Sequence, residues 1–342
     1  MRNRIRSVPR RLATLFALAM ILAGCGSDIP PSESDDDARS DYAVQLESAR
    51  IEMREGPSEA EQDAPTRVVI LGTGTPIPDT NRAGASIAIV HKGESYLFDV
   101  GGGSIRNATR ARYKYDIPSL YPSEIDAVFL THMHSDHTVD FVELNFTLWW
   151  RRREHLLAFG PTGLEELVDG MVAMMQPDIR TRSSGGQPVI VADAYHPVVS
   201  EISAGVVFEK DGMTVEAFDV SHGDIKPAFG YRVTTDDLTV VISGDTAFSE
   251  TLQSFAAGAD ILLHESIGNE GLLRNSEAFQ AYHKASHTTT ADVARLAAEA
   301  RPELLVLYHT LHYGLPEQNA VDEIAQIYDG HVVLANDLDV FP

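Results

Sequence analysis

Short apolar runs rich in valine, isoleucine and phenylalanine recur along the chain from residue 67 onward, at the length of buried strands. They fall at 67–71, 86–90, 96–100, 127–130, 189–191, 213–220, 231–234, 239–242, 261–264, 304–308 and 332–334. Longer stretches predict helices over 104–113, 139–152, 163–175, 290–300 and 317–328. Strands crowd the beginning and alternate with helices later. That order predicts one α/β domain in which sheets are sandwiched between helices.

Before residue 66 the pattern changes. Arg2, Arg4, Arg6, Arg10 and Arg11 lead into an apolar run at 12–23 that is too short to span a bilayer as a helix. A charged segment followed by a short apolar run is the layout of a secretory signal. It ends Leu22-Ala23-Gly24-Cys25, which resembles a bacterial lipobox, so residues 1–24 are expected to be removed and Cys25 to carry lipid. Residues 25–65 read as an acidic, disordered tether. Its 12 acids, three arginines, Pro30, Pro31, Pro57 and Pro65 accompany too few large apolar groups to offset the entropy of ordering. A short helix over 43–53 is compatible with it. The folded domain is expected over 66–342, held at a membrane on the exported side.

Composition sharpens this division. The 342-residue chain carries a net charge of −23, which becomes −28 once the five leader arginines are gone and −19 on the domain alone. Such a surface disfavours phosphate backbones and hence nucleic acid as a partner. One cysteine excludes a disulfide framework and any cysteine-rich metal site. A homo-oligomer is compatible with the sequence. The 13 histidines, in contrast, exceed what packing alone calls for.

Their clustering points to metal. Thr131-His132-Met133-His134-Ser135-Asp136-His137 directly follows the run at 127–130. Side chains two apart on an extended segment face the same way, so His132 and His134 can grip one ion. The chain then turns and presents Asp136 and His137 toward a second position.

This motif resembles the metallo-β-lactamase superfamily, and the resemblance extends over about 67–340. The family's remaining ligand positions match His222 in Val220-Ser221-His222-Gly223, Asp245 in Ile242-Ser243-Gly244-Asp245-Thr246, and His309 after Leu305-Val306-Leu307-Tyr308. The resemblance implies a four-layer αββα sandwich and two divalent cations. His132, His134 and His222 would hold one ion; Asp136, His137 and His309 the other; Asp245 and a water would bridge them. Imidazole and carboxylate without thiolate suit zinc best, with manganese or iron compatible. Such a pair lowers the pKa of the shared water and clamps ester oxygens, and Asp136 would orient or deprotonate that water.

His264-Glu265 and Ser286-His287-Thr288-Thr289 resemble the ribonuclease Z and arylsulfatase-like branch of that family. There the second histidine, here His287, protonates the leaving group with support from an acid, here Glu265. A helix beginning near Thr290 would disfavour an imidazolium at His287, so Glu265 is needed to keep it protonated. His264 itself reads as a residue behind the ligands or in packing rather than as a ligand, and six other histidines have no ligand-like setting and read as surface or packing residues: His91, His155, His196, His283, His312 and His331.

Three segments carry weaker readings. Leu71-Gly72-Thr73-Gly74-Thr75-Pro76 matches the family's first turn, since Pro76 and Pro78 prevent the helix of a dinucleotide site. Asp99-Val100-Gly101-Gly102-Gly103 reads either as an anion cradle before a helix or as a tight turn with Asp99 bonded to ligand histidines. Trp149-Trp150-Arg151-Arg152-Arg153 reads either as a substrate wall or as core packing with a basic helix end.

The leading expectation is a binuclear metal-dependent hydrolase of a small anionic ester, either a phosphodiester or an aryl or alkyl sulfate. The segment from Lys226 to Arg232 leans toward the arylsulfatase-like branch. Ribonuclease Z grips transfer RNA with an arm inserted where this chain has only a plain hairpin around Asp236-Asp237. Ribonuclease Z-like cleavage of RNA 3′ ends is therefore an alternative reading, as are a lactonase and a non-enzymatic metal-binding surface lipoprotein.

Overall fold

The structure, a computed structural model, describes residues 64–342. The leader, Cys25, the tether up to residue 63 and the helix weighed over 43–53 lie outside the described residues. No helix among the described residues is long and apolar enough to cross a membrane.

Strands β1 (Thr66–Gly72), β2 (Ser86–His91), β3 (Glu94–Phe98), β4 (Ala127–Phe129), β5 (Leu157–Gly160) and β6 (Val198–Glu201) form the first sheet in that order. The second runs through β7 (Gly205–Lys210), β8 (Met213–Asp219), β9 (Phe229–Thr234), β10 (Thr239–Ile242), β11 (Ile261–Ile267), β12 (Leu304–Leu311) and β13 (Val332–Leu334). The last strand, β14 (Val340–Phe341), crosses back to pair antiparallel with β1.

The runs are continuously apolar where a strand is covered on both faces, as β1, β2, β11 and β12 are. Alternate residues divide between two cores. From β1, Val68 and Ile70 enter the layer between the sheets, while Val69 and Leu71 face the helices outside. From β12, Val306 and Tyr308 enter the same inner layer, and Leu305 and Leu307 the outer one. On the first sheet the outer core is closed by α1 (Ser104–Tyr115), by the short helix α3 (Phe141–Phe146), which follows the one-turn helix α2 (Ser135–Thr138), and by α4 (Leu164–Ser184). On the second sheet it is closed by α5 (Glu250–Ala256), by α8 (Thr290–Ala300) and by α9 (Gln318–Ala325). Two further helices, α6 (Asn269–Leu273) and α7 (Glu277–Ser286), lie between β11 and α8. The architecture is the four-layer αββα sandwich.

Two expected elements differ. The single helix over 139–152 is broken, because Thr147 is extended and Leu148 is left-handed (φ 61°) before a 3-10 turn at Trp149–Arg151. The break lets Trp149 be fully buried and donate from its indole to Asp178. Residues 189–191 form no strand. The place beside β5 belongs to β6, a half-exposed edge strand whose Val-Val-Ser-Glu offers only two apolar residues in a row. The turn between β9 and β10 spans only Thr235 to Leu238, closed by the Thr235 N–H on the Leu238 carbonyl at 2.8 Å.

Candidate metal centre

The expected ligands arrive from four strand ends. The segment after β4 carries His132 and His134 in extended conformation, then turns into α2 with Asp136 and His137. His222 follows β8, Asp245 follows β10, and His309 lies within β12. The turn before Asp245 requires Gly244, which has φ 58° and no room for a side chain: a Cβ there would sit 2.6 Å from the Phe229 carbonyl oxygen.

Hydrogen bonds fix which ring nitrogens face the centre. The Asp99 carboxylate, held at φ 59°, accepts the Thr131 N–H and hydroxyl, each at 2.8 Å, and His137 Nδ1 at 2.8 Å. Since the Thr131 hydroxyl spends its one proton on Asp99, the 2.9 Å contact with His132 makes His132 Nδ1 the donor. His222 Nδ1 donates to the Ser286 carbonyl at 2.6 Å. With each of these rings neutral, as a metal ligand must be, Nε2 is therefore left as a lone pair.

Those lone pairs converge. His134 Nδ1 lies 3.0 Å from His132 Nε2 and 3.1 Å from His222 Nε2, and at most one of these contacts can be a hydrogen bond. Beside this triad, His137 Nε2 lies 3.5 Å and His309 Nε2 3.2 Å from Asp136 Oδ2. Asp245 stands between the groups, with Oδ2 3.5 Å from His137, 3.9 Å from His222 and 4.0 Å from His132, and Oδ1 3.6 Å from His309 Nδ1. His137 Nε2, Asp245 Oδ1 and His309 Nδ1 are buried with no hydrogen-bond partner. Burial favours a neutral Asp245 acid, and positive charge close by, on protonated His309 and His137 when no cation is bound, is what holds the carboxyl well below its usual range. Facing lone pairs and orphaned buried acceptors are what a cation neutralises, so this donor set fits divalent metal. The two triads of the sequence reading each lie together as a ligand group.

His287 and Glu265 adjoin this centre. Glu265, fully buried in β11, lies 3.2 Å from His287 Nδ1 and accepts the Thr288 N–H at 2.7 Å. Burial disfavours the imidazolium, yet Glu265 outweighs it and pushes His287 up to about 9. The helix conflict is milder than the sequence suggested, because His287 also ends α7, whose C-terminus favours a cation. His264 makes no ligand-like contact: Nδ1 faces the Glu265 carbonyl and burial pulls the ring down to about 4.

The two-sided readings resolve. Gly101 belongs to a tight turn filled by backbone, where an added Cβ would lie 2.2 Å from the Asp136 carbonyl oxygen. The start of α1 is occupied by Asp140, which accepts the Gly103 N–H at 2.7 Å and the Ile105 N–H at 3.3 Å, leaving no anion cradle. Arg152 is buried and donates to the carbonyls of Pro122, Ile125 and Leu144, while Arg182 stacks on Trp150 at 3.5 Å. Trp149 and Arg152 are packing residues, whereas Arg151 and Arg153 are exposed.

Sequence reasoning missed two contributors. Asp337 accepts from Thr73, Ala83 and Asn107, and the Thr73 carbonyl receives the His309 N–H at 3.1 Å. No local pattern marks an acid placed 264 residues from its partner. His283, set aside as a surface or packing residue, lines the same cavity of about 340 Å³ as His134, His222, Asp245 and His287. Its position four residues before His287 on a helix was the available signal.

Residues 95–310 match the model of the β-lactamase superfamily domain. A protein named ribonuclease Z from Mycobacterium sp. (strain KMS) is 33% identical over 257 residues, covering 74% of this chain and 87% of that one. Among solved structures, the metallo-β-lactamase fold protein YhfI from Bacillus subtilis superposes with a TM-score of 0.61 at 20% identity, covering 81% of this chain and 99% of that one. The short form of human tRNase Z gives a TM-score of 0.59 at 21% identity, covering 81% and 98%.

Proposed function

The chain belongs to the metallo-β-lactamase superfamily and is a metal-dependent hydrolase of ester bonds, and on that premise we propose that its substrate is a small phosphodiester. The observation that carries this reading is the Glu265–His287 pair at 3.2 Å, whose His287 lines the same cavity as His134, His222 and Asp245. Two divalent cations held by the two triads and Asp245 would supply a water of lowered pKa and neutralise charge on the phosphoryl oxygens. Zinc suits these donors best. The protein's own contributions follow from the hydrogen bonds. Asp136 accepts a proton near the ligand histidines, Asp99 fixes His137, and His287 holds the proton for the departing alcohol while Glu265 keeps it charged.

The named relative acts on RNA, which favours phosphate over the sulfate ester toward which the Lys226–Arg232 motif leans. The 33% identity also supports ribonuclease Z-like cleavage of RNA 3′ ends as a second reading. Against it stand the four-residue β9–β10 turn, where no arm emerges, and the −19 domain charge. Export and a lipid anchor at Cys25 belong to the same proposal, because the arginine-led leader would carry the enzyme away from transfer RNA.

A panel of bis-aryl phosphate, aryl sulfate, lactone, β-lactam and a transfer-RNA precursor, assayed with metal-loaded protein, tests the assignment. Turnover of the phosphodiester that vanishes in His132→Ala and Asp245→Ala supports it. Preference for the precursor selects the ribonuclease, and sulfate or lactone turnover without phosphodiester cleavage overturns it.

A further inference from the structure

The cavity beside the ligand cluster continues outward over α7, and its outer wall is aromatic. His283 lies one turn before His287, with ring centroids 6.0 Å apart and planes within 23°. Phe279 at 4.2 Å and Tyr313 at 5.5 Å brace the His283 ring, and the Tyr313 hydroxyl lies 2.9 Å from its Nδ1. Tyr282 stands edge-on to His283 at 5.1 Å and keeps 68% of its surface exposed. A lone exposed tyrosine is ordinary. This one lines the cavity that contains His287 and Asp245.

The rest of the lining sets the chemistry. Pro76, Ile225 and Leu311 are apolar, Asp224 is the one charged side chain beyond the proposed machinery, and no lysine or arginine lines the cavity among the described residues. Its volume of about 340 Å³ is that of a small-molecule site. A polynucleotide on the leaving side would bring further phosphates, which need cations as well as stacking platforms. Only the platform is present.

We propose that this wall is the leaving-group subsite and takes a single aromatic alcohol, the aryl or nucleoside part of the diester, stacked on Tyr282 with its ester oxygen toward His287. The inference rests on the phosphodiester reading above. Hydrolysis breaks the P–O bond to that alcohol and joins a water oxygen to phosphorus. The His287 proton leaves with the alcohol, and the proton lost by water restores the imidazolium.

The test uses zinc-loaded wild type, Tyr282→Ala and Tyr282→Phe on methyl p-nitrophenyl phosphate, whose only ring is the leaving group, and on methyl trifluoroethyl phosphate. Because each variant is compared on both esters, their unequal intrinsic reactivity cancels. The aryl-to-alkyl ratio of kcat/KM should fall about fivefold or more in Tyr282→Ala and be retained in Tyr282→Phe. Calorimetry adds a readout independent of turnover. Adenosine 5′-monophosphate or phenyl phosphate should bind more tightly than ribose 5-phosphate, with the gap closing in Tyr282→Ala. The tighter of the two ring ligands identifies nucleoside or aryl. An unchanged kinetic ratio, or equal affinity for ring-bearing and ringless phosphates, overturns the subsite. Absence of diester turnover with the affinity gap intact overturns the phosphodiester reading and leaves the ring site standing.

Discussion

Asp337 holds Thr73 twice, accepting its backbone N–H at 3.0 Å and its hydroxyl at 2.8 Å. The Thr73 carbonyl in turn receives the N–H of His309, which sits at φ 49° in the left-handed region. Asp337 therefore supports the backbone of a proposed ligand without approaching it. Asp337→Ala removes an acceptor shared by Thr73, Ala83 and Asn107. We expect a loss of about 2 kcal/mol or more, read as a Tm lower by roughly 4–8 °C. Zinc affinity measured by chelator competition should weaken with it, and Asp337→Asn should recover part of both.

Asp99 acts one shell closer. Its carboxylate sets the His137 tautomer directly and the His132 tautomer through Thr131. Asp99→Asn keeps the shape but weakens the acceptor. Metal affinity is expected to fall about 10- to 100-fold, the usual cost of losing a partner behind a ligand. Titration with a zinc-sensitive chelator at fixed pH measures it, and unchanged affinity would show that the ligands are held by the fold alone.

Glu265 should govern the alkaline side of the pH profile. His287 is raised from 6.5 to about 9, so its acid form persists below that value and is lost as pH rises through it. In Glu265→Gln the largest raising charge is gone, leaving Asp245, which raises the ring less, against burial, which lowers it. The alkaline limb of kcat/KM for an alkyl ester should move down toward or below 6.5, the ordinary imidazole value. A limb that stays in place would assign it to another group.

Arg152 and Arg151 separate packing from substrate contact. Buried Arg152 serves three carbonyls, so Arg152→Ala leaves them unsatisfied and should cost at least about 2 kcal/mol by denaturant titration. Exposed Arg151 should be replaceable by alanine without change in kcat/KM. A drop in kcat/KM for Arg151→Ala would revive the wall reading.

Much of this was local and hence legible. The 127–130 strand followed by His132, His134, Asp136 and His137 displays period-2 facing in the sequence, and the runs at 239–242 and 332–334 match β10 and β13 residue for residue. The helix over 290–300 was equally readable, with Thr289 accepting the Asp292 N–H as its cap. Edge strand β6 escaped because its two apolar residues, Val198 and Val199, are too short a run to stand out. The helix over 139–152 was misread because burying Trp149 overrode its propensity.

The sequence by itself determined the types and order of the proposed ligands and the double burial of the central strands, because residue chemistry and short-range periodicity are written along one dimension. Only the tertiary structure decided which nitrogen each histidine turns inward, that Asp337 supports His309 through Thr73, and that Tyr282 and His283 stand over the cavity. Those facts depend on partners tens to hundreds of residues apart, brought together by packing.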